Sequence, residues 1–82
     1  MLKIYGSMLC KDCVQCRKDL DEAGVAYEYC DFAEELINLK EFLHLRDTNA
    51  CFAEAKKEGY IGIPCIMRED GSVTLDWQEF LM

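Results

Sequence analysis

Two cysteines separated by two residues lie where a strand-forming segment gives way to a segment with apolar residues at helical spacing, and this arrangement strongly constrains the fold. The segment before them, Leu2–Gly6, is short, apolar and rich in strand-forming residues. After them, apolar residues recur at helical spacing over residues 11–23, and Gly24 ends the pattern as a glycine does just beyond a helix. The sequence therefore predicts a β-strand that leads into an α-helix, with Cys10 and Cys13 at the start of the helix.

The rest of the chain alternates between apolar runs and helical patterns. Strand-like runs cover residues 25–30, 61–67 and 73–75, whereas helical spacing covers residues 33–45, a segment that ends at residue 58, and residues 77–81. Thr48 or Asn49 is expected to cap the helix that ends at residue 58, and Asp76 is expected to cap the last helix. Asp70-Gly71 is a hairpin-turn signal. The predicted element order is therefore β-α-β-α-α-β-β-α.

This order predicts an α/β fold with a small four-stranded mixed sheet. The connections between the first three strands pass through helices, which indicates parallel neighbours joined by right-handed crossovers. The last two strands are expected to form an antiparallel hairpin, and helices to cover both faces of the sheet. Because 82 residues leave no room for a second core, residues 1–82 should form a single domain.

The charge of the chain argues against two classes of partner. Sixteen acidic residues against nine basic ones give a net charge of −7, whereas nucleic acids and anionic membranes are bound by clustered Lys and Arg. No apolar run approaches the roughly 20 residues that span a bilayer, and the first residues do not resemble a signal peptide. We therefore expect a cytoplasmic monomer that binds neither nucleic acid nor membrane.

Six cysteines in a chain this short are typical of secreted miniproteins that are held together by disulfides. The expected cytoplasmic location argues against this class, and the chain has enough apolar residues to form a core without disulfides. In a reducing compartment such cysteines are catalytic, bind metal, or are buried as small hydrophobic side chains.

The position of Cys10-Lys11-Asp12-Cys13 favours redox chemistry. Free backbone N–H groups and the macrodipole at a helix N-terminus favour the thiolate form of a cysteine placed there. A thiolate is the nucleophile in disulfide exchange, and a second cysteine three residues later can resolve the mixed disulfide. Lys11 would add to the stabilisation of the thiolate, and Asp12 would oppose it.

Further residues match a known family. Ile4-Tyr5 precede the cysteine pair by five residues, and Leu20, Gly24-Val25-x-Tyr27 and Gly62-Ile63-Pro64 follow it. With these motifs, nearly the whole chain resembles a glutaredoxin, and in particular the divergent glutaredoxin-related proteins of bacteria. The resemblance implies a thioredoxin fold, a cis peptide bond before Pro64, and backbone groups of Ile63 that hold an extended thiol substrate.

The chain also departs from the glutaredoxin pattern at positions that bind glutathione. Lys11 replaces the usual proline, Ser7 replaces a lysine, and residues 73–77 lack the usual glycine pair, which leaves Asp76 as a candidate contact for substrate. We expect dithiol exchange with a disulfide-containing protein or small thiol, followed by reduction by an external thiol. No cofactor is expected, and glutathione stays a candidate co-substrate.

A third cysteine, Cys16, leaves an alternative open. Cys-x-x-Cys-x-x-Cys is a spacing seen in iron–sulfur proteins, so an iron–sulfur or metal carrier is a second hypothesis, with Cys30, Cys51 or Cys65 completing the site. Helical spacing instead predicts Cys16 as a buried side chain of the apolar stripe. Cys30 and Cys51 are expected to be structural, and Cys65 to pack in the core or to serve as an auxiliary thiol.

Overall fold

Four strands and three α-helices occupy the part of the chain that the computed structural model describes, residues 1–81. They follow the predicted order, except that the last helix is a short 3₁₀ helix. In chain order the elements are β1 (Leu2–Gly6), α1 (Lys11–Glu22), β2 (Tyr27–Asp31), α2 (Leu36–Thr48), a 3₁₀ turn (Ala50–Phe52), α3 (Ala53–Glu58), β3 (Cys65–Met67), β4 (Val73–Thr74) and a second 3₁₀ turn (Trp77–Phe80). No helix among these residues is long and apolar enough to cross a membrane.

The sheet is mixed, with the strand order β2-β1-β3-β4. β1 runs parallel to β2, whereas β3 runs antiparallel to β1 and to β4. The expectation of parallel neighbours is therefore correct for the first crossover and wrong for the second. Two helices, α2 and α3, connect β2 to β3, and the second helix returns the chain to the end of the sheet where β1 finishes. β3 therefore starts beside the end of β1, where Cys65 pairs with Tyr5, and runs in the opposite direction.

Side chains of the central strands alternate between two cores on opposite faces of the sheet. Ile4 and Ile66 belong to the core beneath α1, which also contains Cys16 and Leu20. The next residue along each of these strands belongs to the other core, beneath α2 and the 3₁₀ turn; its buried members are Tyr5, Cys30, Phe42, Phe52 and Cys65. Helical elements thus cover both faces, as predicted.

Several element boundaries differ from the prediction because side chains bond to nearby backbone. Asp31 accepts a hydrogen bond from the Ala33 N–H at 2.8 Å, and this turn delays the start of α2 to Leu36. Asn49 donates to the Leu45 carbonyl at 2.9 Å, so it helps to end α2 and does not cap the helix that follows. Thr48 is the last residue of α2 and caps nothing either.

The fully buried thiols predict a loss of stability at alkaline pH. Burial raises the pKa of Cys16 from 9.0 to about 12. In the folded state the Cys16 thiol therefore keeps its proton at a pH where the same thiol of the unfolded chain has lost it. The contribution of the Cys16 thiol to stability is full below pH 9 and falls between pH 9 and 12.

Replacement of Cys16 by alanine should make the alkaline loss of stability less steep. We expect the slope of the free energy of unfolding between about pH 9 and 11 to become shallower by about 1.4 kcal/mol per pH unit. Urea denaturation of reduced wild type and Cys16→Ala at several pH values measures this slope. Cys51→Ala, at an exposed thiol, is the control and should change the slope less; equal slopes in all three proteins would contradict the prediction.

Candidate active site

Cys10 caps the N-terminus of α1 and is partly exposed. β1 ends at Gly6, and the Cys10 N–H donates to the Ser7 carbonyl at 3.1 Å, which closes a tight turn between strand and helix. The Cys13 N–H in turn donates to the Cys10 sulfur at 3.4 Å. The sulfur of Cys10 thus takes the place of the oxygen of an ordinary capping side chain, among backbone donors that favour negative charge.

Cys13 lies behind Cys10 and is fully buried. Burial is the main reason that its pKa is raised to about 12, and a backbone hydrogen bond with Ser7 opposes that rise. The two cysteines therefore differ in the way that disulfide exchange requires, with one thiol open to a substrate and the other sheltered from solvent.

Gly6 is required for the close packing of Cys13 on β1. A Cβ atom at this position would lie 2.6 Å from the Cys13 sulfur, closer than real Cβ contacts come. We expect Gly6→Ala to lower the free energy of unfolding by about 1–3 kcal/mol, because the sulfur must move within a packed core. The same change in a Cys13→Ala background should cost less, because the clashing atom is gone. Urea denaturation of the four proteins gives the comparison, and equal costs in both backgrounds would contradict it.

The segment before β3 contains two of the predicted substrate-binding residues, Ile63 and Pro64. The Ile63–Pro64 peptide bond is cis, as the resemblance implies. Gly62 has a φ of +93°, and a Cβ there would lie 2.8 Å from the ring of Phe52. A glycine therefore fits both the backbone and the space at this position, and it allows the segment to pass close to the core.

Cys10 and Ile63 line one open groove of about 880 Å³, which we call the Cys10 groove. Its wall is largely apolar: Leu9 is 97% exposed, Ile61 58% and Tyr60 48%. Asp12 is the charged side chain among its lining residues, which are Ser7, Leu9, Cys10, Asp12, Tyr60, Ile61, Gly62 and Ile63. The groove offers an extended apolar ligand direct access to the sulfur of Cys10.

The other predicted substrate-binding residues do not line the Cys10 groove. Pro64 and Asp76 line a second, smaller cavity of about 420 Å³, which Ile63 also borders. Asp76 accepts a hydrogen bond from the Gln78 N–H at 3.0 Å and so caps the last turn, as predicted. Lys11 is exposed at the first position of α1, and it is absent from the residues that line either cavity.

The remaining cysteines occupy different places. Cys16, Cys30 and Cys65 are buried as predicted, Cys16 on one face of the sheet and the other two on the opposite face. Cys51 is exposed beside the second cavity, so it does not pack in the core; its neighbour Phe52 takes the buried position of that turn. Among residues 1–81, no three His, Cys, Asp or Glu side chains form a group that could hold a metal ion.

Several residues near Cys10 and Cys13 have no recognisable signal in the sequence. The apolar wall formed by Leu9, Tyr60 and Ile61 comes from two loops, and exposed apolar residues in loops leave no periodic signal. Tyr29 reaches Cys13 from β2, which follows the helix in sequence. An apolar pair directly before Gly62-Ile63-Pro64 is the one feature that could have pointed to the groove.

The chain is similar in sequence to a known bacterial protein. A protein of Haemophilus influenzae that is described as an uncharacterized protein is 40% identical to it over 73 residues, which cover 89% of this chain and 85% of the relative. No family model and no solved structure matches the chain. Identity at this level over most of both lengths means that the chain belongs to the same family as this Haemophilus influenzae protein.

Proposed function

We propose that this protein is a thiol–disulfide oxidoreductase with a thioredoxin-like fold, related to the glutaredoxins and acting in the cytoplasm. One observation carries the proposal. Cys10, partly exposed, caps a helix within an apolar groove, and the buried Cys13 stands directly behind it. A nucleophile that a substrate can reach, with a sheltered partner that can resolve the product, is what dithiol exchange requires.

In this mechanism the Cys10 thiolate attacks one sulfur of a substrate disulfide. A Cys10–substrate disulfide forms, the substrate S–S bond breaks, and the first substrate sulfur leaves as a thiolate. Cys13 then loses its proton and attacks the Cys10 sulfur, and the second substrate sulfur leaves and takes up a proton. The substrate gains two electrons, and the resulting Cys10–Cys13 disulfide is reduced by an external thiol.

The groove favours an apolar polypeptide over glutathione as substrate. Glutathione carries two carboxylates, but the groove lining contains Asp12 and no basic side chain. The chain as a whole carries a net charge of −7, which adds to the repulsion. An extended peptide with apolar residues on either side of its disulfide could cover Leu9 and Ile61 and bond to the backbone of Ile63.

Alkylation in a single sample tests the nucleophile, because the chain carries its own control. Cys51 is more exposed than Cys10 and lies outside the Cys-x-x-Cys motif. We expect iodoacetamide at neutral pH to label Cys10 at least about tenfold faster than Cys51, as measured by peptide mass spectrometry. Mild oxidation of a second sample before labelling should form a Cys10–Cys13 disulfide that protects Cys10. Preferential labelling of Cys51 would contradict the proposal, and iron bound after anaerobic purification would favour the carrier hypothesis.

Two substrates of opposite chemistry test the choice of partner. One is an uncharged peptide disulfide flanked by leucines, and the other is oxidised glutathione. We expect the peptide to be reduced at least about tenfold faster, and Leu9→Ser to slow the peptide more than glutathione because it removes apolar wall. Faster reduction of glutathione would contradict the substrate assignment and leave the dithiol mechanism intact.

A further inference from the structure

The hydroxyl group of Tyr29 is buried and has no hydrogen-bond partner of ordinary geometry among the described residues. It is the one buried side-chain polar atom of residues 1–81 in that condition. Buried hydroxyls are nearly always hydrogen-bonded, because an unsatisfied donor loses its interaction with water and gains nothing. An unpaired buried hydroxyl points to a partner that appears in some other state of the protein.

Tyr29 and Cys13 meet in the space that Gly6 leaves open. A Cβ atom on Gly6 would lie 3.0 Å from the Tyr29 hydroxyl oxygen and 2.6 Å from the Cys13 sulfur. β2 pairs with β1 in parallel, and this register places Tyr29 opposite Ile4, two residues from Gly6. The hydroxyl therefore stands beside the sulfur that must become a thiolate in the second half of dithiol exchange.

We propose that Tyr29 donates a hydrogen bond to the thiolate of Cys13 when Cys13 attacks the mixed disulfide. This inference rests on the dithiol mechanism proposed above. A protonated thiol is a weak acceptor, which explains why the hydroxyl is unpaired in the reduced protein, whereas a thiolate accepts a strong, charge-assisted bond. Tyr29 keeps its own proton throughout, and the proton of Cys13 leaves with the departing substrate thiol.

The surroundings of the two groups agree with this role. Burial raises the pKa of Tyr29, so its hydroxyl stays a donor and does not act as a base. Arg17 lies over the Tyr29 ring with its guanidinium carbon 4.4 Å from the centroid, and its charge strengthens the hydroxyl as a donor. Burial also keeps the pKa of Cys13 at about 12, with Tyr29 among the groups that lower it. The other titratable groups that face this pair are Cys10, Cys16 and Asp31.

The two steps of the reaction can be timed separately with dithiobis(nitrobenzoate). Attack by Cys10 releases one coloured thiolate, and attack by Cys13 on the resulting mixed disulfide releases a second. A Cys51→Ser background removes the exposed thiol that would add to the signal. We expect Tyr29→Phe to change the rate of the first phase by less than about twofold and to slow the second phase about tenfold or more. The pH profile of the second phase should shift upward by about one unit.

Tyr27→Phe is the matched control on the same strand. The hydroxyl of Tyr27 donates to Asp21 at 2.7 Å and accepts from Arg17 at 3.3 Å, so its partners lie outside the Cys10–Cys13 pair. We expect this change to leave both phases within about twofold. The urea midpoint of Tyr29→Phe should not fall below that of wild type, because the lost hydroxyl has no partner in the reduced protein. An unchanged second phase in Tyr29→Phe would overturn the proposal.

A second measurement separates this inference from the dithiol mechanism. If even the parent protein shows no first phase, the mechanism has failed. Alkylation of Cys13 in a Cys10→Ser protein, mapped by mass spectrometry, still reports how readily that thiol ionises. We expect Tyr29→Phe to slow it about tenfold and Tyr27→Phe to leave it within about twofold. Equal rates in both variants would overturn the role of Tyr29, whatever the fate of the mechanism.

Discussion

Replacement of Cys10 by serine is expected to abolish disulfide reduction, with a fall in turnover of roughly 10³-fold or more. The hydroxyl of serine does not ionise near neutral pH, so the first step of the exchange loses its nucleophile. The fold should be retained, because serine is close in size and can accept the hydrogen bond from the Cys13 N–H that caps α1. The rate at which wild type and Cys10→Ser reduce an apolar peptide disulfide measures the effect.

Two further variants separate the role of Cys10 from a general need for thiols. Cys13→Ser should still attack the substrate but stop at the mixed disulfide, which mass spectrometry detects as a peptide adduct on Cys10. Cys30→Ala removes a buried thiol on the opposite face of the sheet from α1 and should keep most of the activity. Activity that survives in Cys10→Ser would overturn the assignment of the nucleophile.

The part of the site that lies within one continuous segment could be predicted from the sequence. Cys10 and Cys13 stand at a strand–helix junction, and this junction is encoded by local spacing and by Gly24, which ends the helical pattern. The position of Ile63 beside Cys10 depends on a contact between distant parts of the chain, and only the resemblance to glutaredoxins suggested it. Tyr29 gave no signal, because a tyrosine in a strand is ordinary and its buried hydroxyl becomes visible only in three dimensions.

The fold could be predicted at the level of elements but not in every connection. Apolar periodicity indicated each helix and strand, yet it contains no information on strand direction. The antiparallel entry of β3 depends on how α2 and α3 return the chain to the end of β1. Boundaries such as the start of α2 were missed because they depend on single hydrogen bonds, in this case from the Ala33 N–H to the side chain of Asp31.

The largest effect on stability is expected from Phe42→Ala. Phe42 is fully buried in α2, and its ring lies 5.2 Å from that of Phe32 and 5.7 Å from that of Phe52. Truncation leaves a cavity and removes both aromatic contacts, so we expect a loss of about 3–5 kcal/mol in the free energy of unfolding. A domain this small has a stability of only about 5–10 kcal/mol, so urea denaturation should show a variant close to its folding limit.

Leu43→Ala is the control, since it changes the next residue of the same helix, which is 46% exposed; it should cost less than about 1 kcal/mol. Equal costs for the two variants would contradict the assignment of Phe42 to the core. The loss at Phe42 should also reach the active site, because Phe52 packs against Gly62, and Gly62 lines the Cys10 groove. In the Phe42→Ala molecules that are still folded, we therefore expect slower reduction of the apolar peptide, because the Cys10 groove is less tightly packed. The rate of Cys10 alkylation should not change, because the cap of α1 stays in place.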